Sequence, residues 1–144
     1  MKSGKKKPRY VLGIDFGTLS GRALLVNAHT GQEVAWADHP YKNGVIEETL
    51  PGRKKRLKPL TSLQDPADYI EVLKKAVPRV MGLPKAKPEQ VLGIGVDFTS
   101  CTMLPTLADG TPLSSLNKWR NNPHAWVKLW KHHAARPVAQ RRIG

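Results

Sequence analysis

Leu12-Gly13-Ile14-Asp15-Phe16-Gly17-Thr18-Leu19-Ser20-Gly21-Arg22 is the stretch that decides the fold of this chain. An apolar run leads to Asp15, a Gly-Thr turn follows, and a second apolar run covers residues 23–26. The pattern predicts a β-hairpin with an acid at the end of its first strand. Gly17 has no Cβ to block a close approach, and Thr18 and Ser20 add hydroxyls to the backbone N–H groups. Such a turn can therefore hold a polyphosphate.

The position of Asp15 adds a candidate metal ligand to this turn, because a carboxylate at a strand end can hold Mg²⁺ directly or through water. An ordinary hairpin with a Gly- and Thr-rich turn remains the alternative, since hairpin turns select the same residue types. A Walker loop is excluded because Gly17 and Gly21 are followed by Arg22 and not by Lys-Ser/Thr. A dinucleotide-binding fold has no support, because no Gly-x-Gly-x-x-Gly opens a helix.

The composition is strongly basic. The 144 residues carry 24 Lys+Arg against 11 Asp+Glu, a formal net charge of +13. The cations cluster at the N-terminus, at residues 53–58 and near the C-terminus, where Arg136, Arg141 and Arg142 lie. Such clusters bind nucleic acid or other anions, or they are simply solvated; the lack of interleaved aromatic residues favours solvated segments.

The single cysteine, Cys101, excludes an internal disulfide and fits a cytoplasmic protein. A zinc site is not expected, since no cysteine pair exists. No stretch reaches the roughly 18 apolar residues of a membrane span.

Periodicity predicts an α/β fold. Residues 1–8 are expected to form a disordered basic tail, followed by strands over 10–16, 22–27 and 32–38 that make an antiparallel meander. Residues 40–62 are expected to be a long loop, and Asp65-Pro66 to open an amphipathic helix that Pro78 kinks or shortens. Its predicted core face is Tyr69, Val72, Leu73, Ala76, Val77 and Val80.

The remaining elements follow from two further segments. The apolar run of residues 91–98 predicts a central strand buried on both faces. Residues 125–135 are expected to form a final helix with Trp126 and Trp130 packed in the core. The order β-β-β-α-β predicts a ribonuclease H-like domain with a mixed sheet.

Three segments together carry a family resemblance: residues 13–22, residues 93–105 (Gly-Ile-Gly-Val-Asp-Phe-Thr-Ser-Cys-Thr-Met-Leu-Pro) and residues 120–135. They resemble the amino-terminal part of the FGGY carbohydrate-kinase family, and within it the bacterial ribulokinases. The resemblance covers about residue 9 to about residue 138 and implies an actin-like ATPase domain over 9–144, present in part. It also implies phosphoryl transfer from ATP, with Mg²⁺, to L-ribulose or a related ketopentose in L-arabinose catabolism.

The resemblance assigns site residues to two groups. The nucleotide and metal group comprises Asp15, Gly17, Thr18, Leu19, Ser20 and Arg22, with Asp15 as the metal ligand. The sugar group comprises Asp97, Thr99, Ser100, Cys101 and Arg120, within a polar rim that adds Asn121, Asn122 and His124. Simpler roles stand beside these: Asp97 as a turn cap, Cys101 as a small buried filler, and His132 and His133 as cations at a helix C-terminus.

The chain also departs from the family. Family members are much longer, and the aspartate expected to take the sugar proton has no match among these residues. We therefore expect an amino-terminal kinase fragment that is inactive without a carboxy-terminal domain. A nucleic-acid-binding protein or a sugar-binding module without catalysis is the alternative.

Overall fold

The meander predicted from the sequence forms the centre of the fold. The computed structural model describes residues 7–135, so the basic clusters at residues 1–6 and 136–142 lie outside it. Strands β1 (Tyr10–Phe16), β2 (Ser20–Asn27) and β3 (Glu33–Pro40) pair antiparallel in sequence order. Residues 28–31 form the predicted turn, in which Gly31 adopts φ 72°. These strands confirm the three predicted from alternation.

A fourth strand makes the sheet mixed, as expected. After the two-residue strand β4 (Leu63–Gln64) and the helix, β5 (Val91–Phe98) pairs parallel to β1, giving the order β3-β2-β1-β5. The expectation that β5 is buried on both faces is wrong. Ile94, Val96 and Phe98 are 50–63% exposed, because β5 lies at the sheet edge and no described element covers it.

The helix α1 (Pro66–Gly82) begins where the sequence predicted. Asp65 caps it through a 2.9 Å hydrogen bond from the Ala67 N–H to Asp65 Oδ1. Its buried stripe is narrower than expected: Val72, Ala76 and Val80 are buried, whereas Leu73 is exposed. The helix continues through Pro78 to Gly82, so the prediction of a shortened end is wrong. Pro78 is exposed, and the carbonyl group that it leaves without a donor can bind water.

The chain divides into two compact units. The first runs to Pro40 and resumes over Glu71–Phe98, so it holds the four-stranded sheet and most of α1. The second comprises Tyr41–Ile70 and continues from Thr99. Its core is a cluster of Ile46, Leu50, Leu63, Ala125 and Trp126.

The final helix predicted over residues 125–135 is absent. A single 3₁₀ turn (Pro123–Ala125) is followed by the strand β6 (Val127–Lys128), which pairs with β4. Asn122 caps the 3₁₀ turn by accepting a 3.0 Å hydrogen bond from the His124 N–H. Trp126 is buried as expected, but Trp130 is 53% exposed. Pairing with β4 therefore overrides the helical spacing of the tryptophans.

Candidate functional site

The turn between β1 and β2 is closed by its own backbone. The N–H of Gly17 donates a 3.0 Å hydrogen bond to the carbonyl of Ser20. A Cβ at Gly17 would lie 3.0 Å from that oxygen, so a larger residue would strain the turn. Leu19, at the tip, is 64% exposed, and Thr18 and Ser20 are half-buried. The turn thus presents small polar residues at the ends of the two central strands of the sheet.

Asp15 lies one residue before the end of β1, within a row of charged residues across the sheet. Its neighbour on β2 is Arg22 and its neighbour on β5 is Asp97; Arg22 in turn faces Asp38 on β3. Strands lie about 4.8 Å apart, and residues in register project to the same face. The row Asp38–Arg22–Asp15–Asp97 therefore places three carboxylates and one guanidinium on one face beside the turn.

The opposite face of the same strands packs in the core and against α1. Leu12, Ile14 and Phe16 alternate with the residues of the Asp15 face and are buried. The rings of Phe16 and Phe98 stack with their centroids 4.7 Å apart. Gly21 belongs to this face: a Cβ there would lie 2.6 Å from Val72 Cγ2 of α1. Gly21 is therefore required for helix packing, and the candidate phosphate contacts lie elsewhere in the turn.

Sequence reasoning missed two contributors to the Asp15 face. Asp38 completes the charged row, and Trp36, which is 65% exposed, lines a cavity of about 560 Å³ with Arg22 and Leu24. Counting the hairpin register outward from the turn at residues 28–31 places Ala37 opposite Arg22; Asp38 takes that position because a register shift between Leu25 and Val26 moves β3 by one residue.

The sugar-site candidates fall in both units. Asp97 is the penultimate residue of the first unit, and its Oδ1 accepts a 2.9 Å hydrogen bond from the N–H of Phe98. Thr99, Ser100 and Cys101 begin the next segment of the second unit, where the hydroxyls of Thr99 and Thr102 lie 2.6 Å apart. Cys101 is exposed and adopts φ 57°, so its interpretation as a buried filler is wrong.

Arg120 is also part of the second unit. It is exposed, and its carbonyl accepts a 3.1 Å hydrogen bond from Trp126 Nε1. Its neighbour Asn121 accepts a hydrogen bond from Arg53 Nε. The polar rim predicted at residues 120–124 is thus anchored by backbone and side-chain contacts within this unit.

His132 does not cap a helix, because no helix forms there, and its environment favours the neutral ring. Its Nδ1 accepts a 3.2 Å hydrogen bond from the Ser62 N–H, and burial lowers the pKa of the imidazole below 6.5. His133 lies outside any helix as well, so neither histidine is the helix C-terminal cation that the sequence suggested. Nearby, an ion pair of 2.8 Å with Lys131 lowers the pKa of Glu47.

Metal-binding clusters and membrane spans are both absent from the described residues. Between residues 7 and 135, no group of three or more His, Cys, Asp or Glu could hold a metal ion. No helix in the same range is long and apolar enough to cross a bilayer.

Comparisons with known proteins give consistent results. The chain is 50% identical over 135 residues to a ribulokinase of Mycolicibacterium smegmatis, which covers 93% of the chain and 24% of that protein. It is 52% identical over 136 residues to a ribulokinase of Geobacillus thermodenitrificans, covering 94% of the chain and 23% of the relative. No family model matches.

Solved structures of sugar kinases share the fold. A gluconate kinase from Lactobacillus acidophilus superposes with a TM-score of 0.65 at 15% identity, over 94% of this chain and 22% of that one. A xylulose kinase from Rhodospirillum rubrum gives a TM-score of 0.63 at 20% identity, over 94% and 23%. These neighbours confirm the predicted actin-like fold, present in part.

The relatives also bear on the length of the chain. It spans about a quarter of the curated ribulokinases that it matches, at their amino-terminal end. The alternative of a nucleic-acid-binding protein or a sugar-binding module is not favoured by these relatives. The chain corresponds in sequence to the amino-terminal portion of the bacterial ribulokinases and in fold to the FGGY sugar kinases.

Proposed function

We propose that this chain is the part of a ribulokinase that holds the phosphates of ATP and one side of the sugar. The complete protein would transfer a phosphoryl group to the terminal hydroxyl of L-ribulose, in the cytoplasm, as a step of L-arabinose catabolism. The observation that carries the proposal is the Asp15–Ser20 turn at the ends of the central strands β1 and β2, in a chain half identical to ribulokinases over 93% of its length.

The proposed role of the turn is to bind phosphate oxygens. Because Gly17 has no side chain, ligand atoms can approach the N–H groups of the turn closely. Thr18 and Ser20 supply hydroxyl donors, and Leu19 covers the tip. Arg22, exposed on the same face as Asp15, supplies positive charge where negative charge develops during the transfer.

The carboxylates beside this turn fit Mg²⁺, which prefers one or two carboxylates with water and phosphate oxygens completing its shell. Asp15 is half-buried and next in register to Asp97, so one or both can reach a common ion from the same face. A bound Mg²⁺ would neutralise charge on the phosphates. Asp15 is the proposed ligand, and Asp97 either shares this role or contacts the sugar.

The sugar contacts are proposed from the resemblance to ribulokinases. Thr99, Ser100 and Cys101 supply two hydroxyls and backbone groups in the segment after β5. Arg120 supplies a guanidinium group that can donate several hydrogen bonds. The substrate class is a ketopentose. Phosphoryl transfer needs the sugar oxygen to attack the γ-phosphorus while the bond to ADP breaks, and the proton of that oxygen must pass to a base. We place this base in the carboxy-terminal part of the complete protein.

A fusion protein tests the proposal. The 144 residues are joined to the carboxy-terminal three quarters of the Geobacillus thermodenitrificans ribulokinase, and ADP release is measured with L-ribulose and MgATP. We expect L-ribulose-dependent turnover from the fusion and none from the chain alone. Turnover by the chain alone would contradict the proposed division of the site, and a well-folded but inactive fusion would contradict the assignment.

A further inference from the structure

A basic cavity in the second unit shares no residue with the phosphate turn, and its lining includes Asn121 and His124 of the predicted polar rim. Its volume is about 600 Å³, which falls within the range of small-molecule sites. Five cations line it: Arg53, Lys54, Lys55, Arg56 and Lys58. Because no acidic residue is part of the lining, the cavity is suited to an anion.

The segment that carries these cations is ordered by its own contacts. Thr49 and Arg56 form an antiparallel bridge, and the Leu57 N–H donates a 2.7 Å hydrogen bond to the carbonyl of Glu48. Gly52 turns the chain at φ 70°. Leu50 is part of the core cluster and Leu57 packs against it. The cations are therefore held on a short hairpin, which we call the basic hairpin (residues 48–58), and not on a loose loop.

The charges of the basic hairpin have no neutralising carboxylate in the part of the chain that the structure describes. Within residues 7–135, none of the five cations has a carboxylate oxygen within 4.0 Å; the only carboxylate of the hairpin, Glu48, does not line the cavity. Arg53 Nε is fixed by Asn121 Oδ1, which leaves the amide group of Asn121 as a donor. Arg53 Nη1 also donates a 3.4 Å hydrogen bond to the carbonyl of Gly52, and the remaining N–H groups of the Arg53 guanidinium can bind another acceptor.

The remaining lining adds a neutral donor and an apolar wall. His132 accepts the Ser62 N–H at Nδ1, so its neutral ring carries a proton on Nε2 and can donate it. Leu50, Leu57 and Pro123 supply apolar surface that a carbon skeleton can cover. Cations, neutral donors and apolar atoms together match a small organic phosphate better than an extended polyanion, which needs a long groove.

We propose that this cavity is a second anion site, which binds a small phosphorylated molecule through the cations of the basic hairpin. The site shares no residue with the Asp15 turn, and its binding does not depend on the proposed kinase activity. The shared chemistry is a phosphoryl group with at least two negative charges, carried either by free pyrophosphate or by a sugar phosphate.

Calorimetric titration of the 144-residue chain with inorganic pyrophosphate and with ribose 5-phosphate tests the proposal. We expect saturable one-to-one binding, with each ligand competing against the other. The tighter of the two ligands identifies the source of the phosphoryl group. The triple variant Lys54→Gln/Lys55→Gln/Arg56→Gln should bind about tenfold more weakly, as expected when three exposed cations are lost.

A charge-matched control separates a site from general attraction to a basic protein. Lys75→Gln/Lys85→Gln/Lys87→Gln removes three exposed cations of the first unit and gives the same net charge. It should retain the parent affinity, and circular dichroism checks that both variants are folded; Lys55→Gln alone serves if the triple variant is not. Equal weakening in both variants, no saturable binding by the parent chain, or binding of an oligonucleotide that pyrophosphate cannot displace would overturn the proposal.

Discussion

Asp15 carries the nucleotide proposal at the scale of single residues, and its place in the sheet explains why. It stands between Arg22 and Asp97 in register, so its carboxylate is flanked by one cation and one further acid. The sequence placed Asp15 at a strand end beside a Gly-Thr turn, which the structure confirms. It did not reveal the whole charged row, because a register shift brings Asp38 opposite Arg22 and because Asp97 reaches the row only through pairing with the distant strand β5.

Replacing Asp15 should affect catalysis far more than replacing Cys101. In the fusion protein, Asp15→Ala should lower turnover by about 10²-fold or more, because a proposed metal ligand and phosphate-site charge is lost. Cys101→Ala should have a mild effect, since phosphoryl transfer needs no thiolate. Steady-state ADP release measures both. Equal losses in the two variants would show that the turn has no special role.

Gly21 gives a prediction about stability. Gly21→Ala should destabilise the fold by about 1–3 kcal/mol, because the added Cβ meets Val72 Cγ2 at 2.6 Å. Gly95→Ala is the control. A Cβ there has no atom within 4 Å, so the free energy of unfolding should change by no more than about 0.5 kcal/mol. Urea unfolding measures both. Val72→Ala should recover part of the loss in a double variant, and additive losses would count against a direct clash.

At the scale of elements, the local sequence patterns correctly predicted the strands and the helix start that depend on local interactions. The alternation in β1 to β3 and the Asp65-Pro66 start of α1 were sufficient, because strand faces and caps depend on nearby residues. The prediction of a final helix was wrong because the structure of that segment depends on residues distant in the sequence. The N–H of Leu129 donates to the carbonyl of Ser62 and Lys128 pairs with Met103, so long-range backbone pairing decides that segment. The spacing of Trp126 and Trp130 carries no sign of these partners.

The contact between this segment and Ser62 should make stability depend on pH. Burial lowers the pKa of His132 in the folded state below the 6.5 of the unfolded chain, so protonation favours unfolding. Its contribution is present above pH 6.5 and is lost as the pH falls towards the lowered value. His132→Asn can still accept the Ser62 N–H but does not titrate.

The measurement compares the two proteins by urea unfolding at several pH values. The free energy of unfolding of the parent, minus that of His132→Asn, should decrease as the pH falls below 6.5. Subtracting the variant removes the contribution of other titrating groups. A difference that stays constant with pH would mean that the imidazole has the same proton affinity in both states.

At the scale of the whole molecule, the strand β5 exposes a row of apolar side chains. It is an edge strand, and Leu92, Ile94, Val96 and Phe98 are each at least 50% exposed. Apolar side chains on an unpaired edge are an association hazard. The net charge of +13 opposes association, but screening shortens its range to about 8 Å at 0.15 M salt.

We therefore expect the isolated chain to associate increasingly as salt rises. Ile94→Glu/Val96→Glu should reduce that association, because it places charges on the exposed face of β5. Leu107→Glu is the control, since Leu107 is also exposed but lies outside the sheet. Light scattering across a salt series measures all three proteins. A parent chain that stays monomeric at every salt concentration would contradict the prediction.

The two units have a consequence for how the chain is made. Each is built from two separate stretches, so the chain leaves the first unit after Pro40 and returns to it only at Glu71. On the ribosome, β1 is therefore synthesised some 80 residues before its parallel neighbour β5, whose register pairs Tyr10 with Val91. Contacts so distant in sequence form late and slowly. Asp15 and Asp97 can therefore become neighbours only after β5 has been synthesised, and any single cut through the gene divides at least one of the two units.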